Sequence, residues 1–218
     1  MCQLDSSSAT VKDENEYHFS VDWFTHSIPT WTHILSDLDP GRLLEVGAYE
    51  GRSTCFLIEK CASNRPISFY CIDTWLGSSE HTTADMVQVE RRFDENTAIA
   101  LRRAKHPCEF RKLKGRSAVE LMRLGYAGQM ETFDFVYIDG SHKAPDVLTD
   151  AVLSFQLLRI GGIMIFDDYL WHMEPVGMED PLNAPKVSID SFLNIFQRKM
   201  RVLSGVPLYQ ISAVKTST

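Results

Sequence analysis

Three groups of residues carry side chains at spacings suited to chemistry, and the first follows the apolar run Leu43 to Val46. There Glu45-Val46-Gly47-Ala48-Tyr49-Glu50-Gly51-Arg52-Ser53-Thr54 reads as a buried strand, a Gly-spaced turn and a helix start. Gly47 lets the chain turn without a Cβ, Gly51 lets backbone come close to a ligand, and the free amides of the helix start face the crevice. Three ligand classes compete for such a turn. A dinucleotide fingerprint would put glycines where Tyr49 and Arg52 stand. A phosphate-binding loop needs one more residue between Gly47 and Gly51, and Lys in place of Arg52. That second reading stays open, with Tyr137-Ile138-Asp139 as its Mg²⁺ strand. What fits is acidic-x-Gly-x-x-x-Gly, which suits a nucleoside carrying an amino acid, with Glu45 meeting its polar groups and no phosphate to cradle.

The second group is Asp73, which closes the next apolar run about twenty residues on, where a carboxylate accepts hydrogen bonds from ribose hydroxyls. The third is acidic: Asp139 ends one apolar run and Asp167-Asp168 ends another. Neighbouring parallel strands would bring these carboxylates to one rim of the crevice, where their oxygens suit Mg²⁺. Without a cation they would repel and one would keep its proton. His142 lies three residues past Asp139; an imidazole titrates near neutrality and can take a proton from a hydroxyl. It can equally pack on a bound cofactor or orient Asp139. His81 and His172 read as solvent-facing loop residues rather than ligands.

Positioning these groups takes alternating elements. Leu43 to Val46, Ile67 to Ile72, Phe110 to Leu113, Phe133 to Ile138 and Ile163 to Phe166 read as buried strands. Helical patterns lie between them, clearest from Ala144 to Arg159, with Gly161-Gly162 as the stop. Alternation of this kind means parallel βαβ units with helices on both faces. Ahead of them, Val21 to Leu38 carries a helical stripe that Pro29 opens or kinks, with Trp23 and Trp31 as core. Behind them, Ile189 to Met200 reads as a final helix, and Arg201 to Leu203 and Leu208 to Val214 as two strands across a tight Gly205-Val206-Pro207 turn. The fold class is therefore α/β, a Rossmann-like three-layer sandwich. Its mostly parallel sheet has one antiparallel strand near the C-terminus, placed at the far edge.

At 218 residues the chain suits one core, expected over 17–218, after a Ser-rich tail over 1–16 expected to be flexible. Lys and Arg number 22 against 29 Asp and Glu, a formal charge of -7, which disfavours a nucleic-acid partner. The 5 cysteines lie in no metal-binding spacing. No run has the length and apolarity of a membrane span or signal peptide, so the expected location is cytoplasmic and the expected partner a small molecule. A homo-oligomer is compatible with the sequence.

Taken together these runs resemble the class I S-adenosylmethionine-dependent methyltransferases. Glu45 to Ser53 looks like their first motif in the version of catechol O-methyltransferase, where Tyr replaces the middle Gly. Lys114-Gly115-Arg116-Ser117-Ala118 resembles the adenine-side loop, and Phe133 to His142 the fourth-strand motif. Leu157 to Tyr169 resembles the fifth strand, and from about Phe19 onward the pattern is most similar to methyltransferase family 24, with its cephalosporin hydroxylase-like relatives.

The resemblance implies S-adenosyl-L-methionine as cofactor, with Glu45, Gly47, Tyr49 and Ser53 at its methionine and ribose, Asp73 at the ribose and Ser117 at the adenine. Further implied contacts are Ala48, Gly51, Thr74, Trp75, Gly115, Asp139, Gly140 and His142. Asp139, Asp167 and Asp168 would hold Mg²⁺ or another divalent metal, although Asp168 stands where catechol O-methyltransferase has Asn. His142 occupies the offset of that enzyme's catalytic lysine, so His142 and Asp139 are the catalytic candidates for methylating a hydroxyl. A module that keeps the pocket without chemistry remains an alternative.

Overall fold

The computed structural model describes residues 16–78 and 84–218. All of the expected flexible tail except Glu16, and the Glu80-His81 stretch, lie outside the described residues. After a short 3-10 turn at Thr25–Ser27 come α1 (Ile28–Leu38), β1 (Arg42–Val46), α2 (Arg52–Cys61), β2 (Ile67–Asp73), α3 (Met86–Arg103) and β3 (Cys108–Lys114). Then follow α4 (Ser117–Tyr126), β4 (Phe133–Ile138), α5 (Ala144–Leu157), β5 (Leu158–Phe166), α6 (Lys186–Ile195), β6 (Met200–Val202) and β7 (Ile211–Lys215).

The strands form one seven-stranded sheet in the order β3-β2-β1-β4-β5-β7-β6. The chain moves outward from β1 through β2 to β3, then returns to place β4 on the other side of β1. That reversal opens a crevice at the carboxyl ends of β1 and β4, the position where open α/β sheets bind ligands. Both faces are buried, as a parallel sheet requires. Leu43 and Leu44 are neighbours on β1 pointing to opposite faces, and each is fully buried. Leu43 packs with Trp31, Leu57, Ile58 and Phe93 from α1, α2 and α3. Leu44 packs with Leu121, Val147, Phe155 and Phe192 from α4, α5 and α6.

Pro29 sits in the first turn of α1, where its missing N–H is harmless, so it opens the helix. Three expectations need correction. The helix from Ala144 stops at Leu157, and Gly161-Gly162 lie inside β5. Phe133 pairs with Leu158 and Phe135 with Ile163, so the residues between Leu158 and Ile163 form an irregularity in the strand. A Cβ at Gly162 would stand 2.6 Å from Leu158 Cδ1 and 2.9 Å from the Asp134 carbonyl oxygen. Gly162 serves close packing rather than helix termination, and Gly161 supplies a φ of +79° within the strand. Trp31 is core, but Trp23 is 59% exposed and belongs to the crevice.

The third correction concerns the C-terminus. Met200 begins β6 rather than ending a helix, and Leu208 to Gln210 stay outside β7, with Gln210 N–H bonded to the Pro207 carbonyl instead. The reversed strand is β7, antiparallel to both β5 and β6. It therefore lies second from the edge, with β6 outermost.

Gly47 is the tightest point of the crevice floor. Its φ is +86°, and a Cβ there would stand 1.8 Å from the Asp139 carbonyl oxygen. Gly128 has φ +79° and nothing within 4 Å. In urea melts, Gly128→Ala should cost about 1–2 kcal/mol, the backbone strain alone. Gly47→Ala should cost about 4 kcal/mol or more, because backbone must move as well. Equal costs would show that the approach to Asp139 is not limiting.

Candidate active site

A cavity of about 1130 Å³ occupies the crevice. It is lined by Gly47, Ala48, Tyr49, Ser53, Asp73, Thr74, Gly115, Ser117, Asp139, Gly140, His142, Asp167 and Asp168, all anticipated from the sequence. Three anticipated residues do not line it. Glu45 is fully buried beneath the turn, where the Ser53 and Thr54 hydroxyls donate to its two carboxylate oxygens at 2.5 Å each. Gly51 backs onto α3, since a Cβ there would meet Phe93 Cδ2 at 3.0 Å. Trp75 is a prop: its indole N–H donates to the Tyr49 carbonyl at 3.0 Å and its ring packs on Phe93.

Asp73 does more than cap a strand. Its Oδ2 accepts from the amides of Ala48 and Tyr49 at 2.8 and 3.1 Å, and its Oδ1 from that of Trp75 at 2.7 Å. The turn after β1 is thereby bonded to the end of β2. Lone pairs remain on both oxygens for a ligand.

The acidic rim divides in two. Asp139, His142 and Asp168 each place one ligand atom within 4.8 Å of the others, and His142 Nε2 lies 2.7 Å from Asp168 Oδ2. Asp167 departs from the expected cation set. Its Oδ2 accepts from Tyr137 Oη and from Gln210 Nε2, the latter at 2.8 Å, and its Oδ1 accepts from the Asp168 amide at 2.7 Å. The Tyr137 hydroxyl also lies 2.9 Å from Asp139 Oδ2, yet it has a single proton to give. Burial, and then the charges of Asp167 and Asp168, hold the Asp139 carboxyl well above its ordinary range. Asp167 is raised too, by burial and then by Asp168. Gln210 also accepts from the Trp31 indole N–H at 2.8 Å, tying α1 to the rim.

Residues that sequence reasoning missed come from loops, from the 3-10 turn and from α5. Tyr209 lines the cavity, and its hydroxyl bonds to Asp168. Asp150, His26 and Trp23 line it as well. Trp171, in the loop after β5, packs with its ring centroid 4.1 Å from that of His142, while His172 bonds the Glu174 carbonyl outside the cavity. The segment before α1 is held by buried polar groups. Glu50 accepts from the Ser20 amide and hydroxyl and pairs with Arg92 at 2.6 Å, and Asn96 bonds the amide and carbonyl of His18. These ties place Trp23 5.1 Å from Tyr49. No local pattern reveals Trp23 or Tyr209, because neither lies in a regular element.

Chemically the rim offers two carboxylates and an imidazole for a divalent cation, or an imidazole oriented by a carboxylate for proton transfer. The His142 side chain serves one role or the other at a given moment.

Burial raises Glu45 from an ordinary 4.5 to about 7, opposed in part by Ser53 and Thr54. The folded chain thus holds this proton more tightly than the unfolded one. The resulting stability is fully present below 4.5 and is lost as pH rises through about 7. Glu45→Gln should flatten the decline between about pH 5 and pH 8, recovering up to about 3 kcal/mol at the alkaline end. A variant whose stability tracks wild type in parallel at both pH values would contradict this.

Residues 44–169 match the family model described as a methyltransferase domain. No curated protein matches the chain. Among solved structures it is similar to an O-methyltransferase from Bacillus cereus in complex with S-adenosylhomocysteine, at TM-score 0.62 and 18% identity over 90% of this chain and 84% of that one. It is also similar to TomG from Streptomyces achromogenes, an O-methyltransferase of tomaymycin synthesis in complex with S-adenosylmethionine, at TM-score 0.57 and 19% identity over 86% and 78%. A third is MycE of mycinamycin biosynthesis, in complex with Mg, S-adenosylhomocysteine and mycinamycin VI, at TM-score 0.57 and 16% identity over 90% of this chain and 51% of that one. At these identities the likeness shows a shared fold. With the family model spanning β1 to the end of β5, the chain belongs to the methyltransferase domain family of the family 24 type.

Proposed function

We propose that this chain transfers the methyl group of S-adenosylmethionine to a hydroxyl of a small molecule. The observation that carries the proposal is the Asp73 carboxylate on the amides of Ala48 and Tyr49. A phosphate-binding loop aims such amides at a phosphate; here a carboxylate already holds them and would repel one. The same carboxylate accepts from ribose hydroxyls, while Gly47, Tyr49 and Ser53 face the methionine and Gly115, Ser117 and Gly140 the adenine. The complexes of the Bacillus cereus enzyme and TomG with this cofactor or its product support the reading.

The chemistry is an in-line displacement. The acceptor oxygen bonds to the methyl carbon, the sulfur–methyl bond breaks, and its electron pair returns to sulfur, leaving S-adenosylhomocysteine. His142, held through Nε2 by the Asp168 carboxylate, is the base for the hydroxyl proton. Trp23, Trp171 and Tyr209 wall the acceptor. The donor set of Asp139, Asp168 and His142 fits a divalent cation, and its imidazole broadens the choice beyond Mg²⁺. When bound, such a cation would lower the pKa of a coordinated hydroxyl. Among the described residues no helix is long and apolar enough to cross a membrane. A cytoplasmic domain over residues 17–218 acting on a small acceptor completes the reading, with its oligomeric state open.

A thermal-shift panel tests the cofactor. S-adenosylhomocysteine at a hundred times its dissociation constant should add about 2.7 kcal/mol of stability, whereas ATP and NAD should add none; stabilisation by ATP alone would reverse the reading. With methyl-labelled cofactor and a cell extract, His142→Ala should lower turnover by about 10²–10⁴-fold while sparing product affinity. Full activity of that variant would reduce His142 to a packing role. If Asp139, Asp168 and His142 instead hold a cation, chelation should abolish labelling and added Mg²⁺ restore it; indifference to chelator would remove the cation and leave His142 as the base.

A further inference from the structure

We propose that Asp150 is the residue by which this chain selects adenine, accepting a hydrogen bond from the exocyclic amino group of the cofactor's base. This rests on the S-adenosylmethionine reading above and adds a determinant to it.

Asp150 lies on the inward face of α5 beside Val147 and Ala151, a position that helical periodicity would fill with an apolar residue. It is 1% exposed, yet it lines the cavity together with Ser117, Gly140 and Thr149. Burying a carboxylate is costly unless something pairs with it. The groups acting on it are the Ser117 hydroxyl, which bonds to it, and the like charge of Asp146, and with burial dominant its pKa rises to about 7. Its Oδ1 has no hydrogen-bond partner in the protein. Unsatisfied buried polar atoms are rare in folded chains, and one at the wall of a cavity points to a ligand.

The chemistry of that ligand follows from the acceptor. In its ionised form the Asp150 carboxylate takes hydrogen bonds and gives none, so the ligand group it pairs with is a donor. Alongside it, the first turn of α4 begins at Ser117 and carries amides that no helical carbonyl can reach. An acceptor next to a donor is the complement of adenine's Watson–Crick edge, with its amino group beside the ring N1 acceptor. A purine with a carbonyl at that carbon would set oxygen against carboxylate. Gly140 brings bare backbone beside the carboxylate: a Cβ there would stand 3.8 Å from Asp150 Oδ2 and 3.3 Å from Val46 Cγ1. A merely structural Asp150, holding Ser117 at the start of α4, would leave Oδ1 bare.

Calorimetry on the full chain with three ligands tests this. The ligands are S-adenosylhomocysteine, its analogue with hydrogen in place of the exocyclic amine, and S-inosylhomocysteine. Wild type should bind the deaminated analogue about tenfold or more weakly than S-adenosylhomocysteine, and the inosyl compound more weakly still. Asp150→Ala should weaken S-adenosylhomocysteine alone, bringing it within about twofold of the deaminated analogue. Its retained affinity for that analogue reports an intact fold. Asp150→Asn keeps a carbonyl acceptor and should keep the discrimination. Wild-type indifference to the amine overturns the assignment without any variant, as does an Asp150→Ala loss shared equally by all three ligands. Failure of wild type to bind any of them removes the cofactor reading itself, and this assignment with it.

Discussion

The Asp73 carboxylate, bonded to the amides of Ala48 and Tyr49, is the tie on which the site depends. It fastens the turn after β1 to the end of β2, and Gly47 permits the fit by letting β1 close on the Asp139 carbonyl from the other side. Three strand ends are thereby locked at one point. A carboxylate bonded to three backbone amides is a strong, charge-assisted arrangement, and it leaves the turn shaped for uncharged hydroxyls rather than for phosphate.

Around that point the protein tolerates several buried acids, and each is handled differently. Glu45 sits on two hydroxyls under the turn. Asp139 and Asp167 share the Tyr137 hydroxyl, and Asp168 faces His142. Asp150 is left with an oxygen unmet. Such grouping is costly near neutral pH, because carboxyls buried side by side resist ionisation. A cation at the rim, or a ligand donor at Asp150, would offset that cost.

Loops supply much of the remaining cavity wall. Trp23, Trp171 and Tyr209 belong to no helix or strand, yet each is held by specific bonds: Trp23 through the Glu50 and Asn96 ties upstream, Tyr209 through its contact with Asp168 and its carbonyl's bond to the Tyr169 amide. Loop positions of this kind vary without disturbing the sheet, which lets one scaffold serve many acceptors.

The five parallel strands, the Gly47 turn, Asp73 and the Asp139-to-His142 spacing were legible in the amino-acid sequence. Each depends on local periodicity or on residues adjacent in the chain. What it left undecided were contacts between distant segments. The sequence places Asp167 and Asp168 side by side, but only packing against Tyr137 and Gln210 turns one inward and leaves the other on His142. Gly161-Gly162 look like a helix stop until pairing with β4, with Gly162 close against Asp134, puts them in a strand. Gly51, Glu45 and Trp75 have the right spacing for a ligand, yet they face Phe93, Ser53 and the Tyr49 carbonyl instead. Spacing along a strand or turn sets which residues reach the crevice; which way each side chain faces is settled by neighbours brought in from elsewhere in the chain.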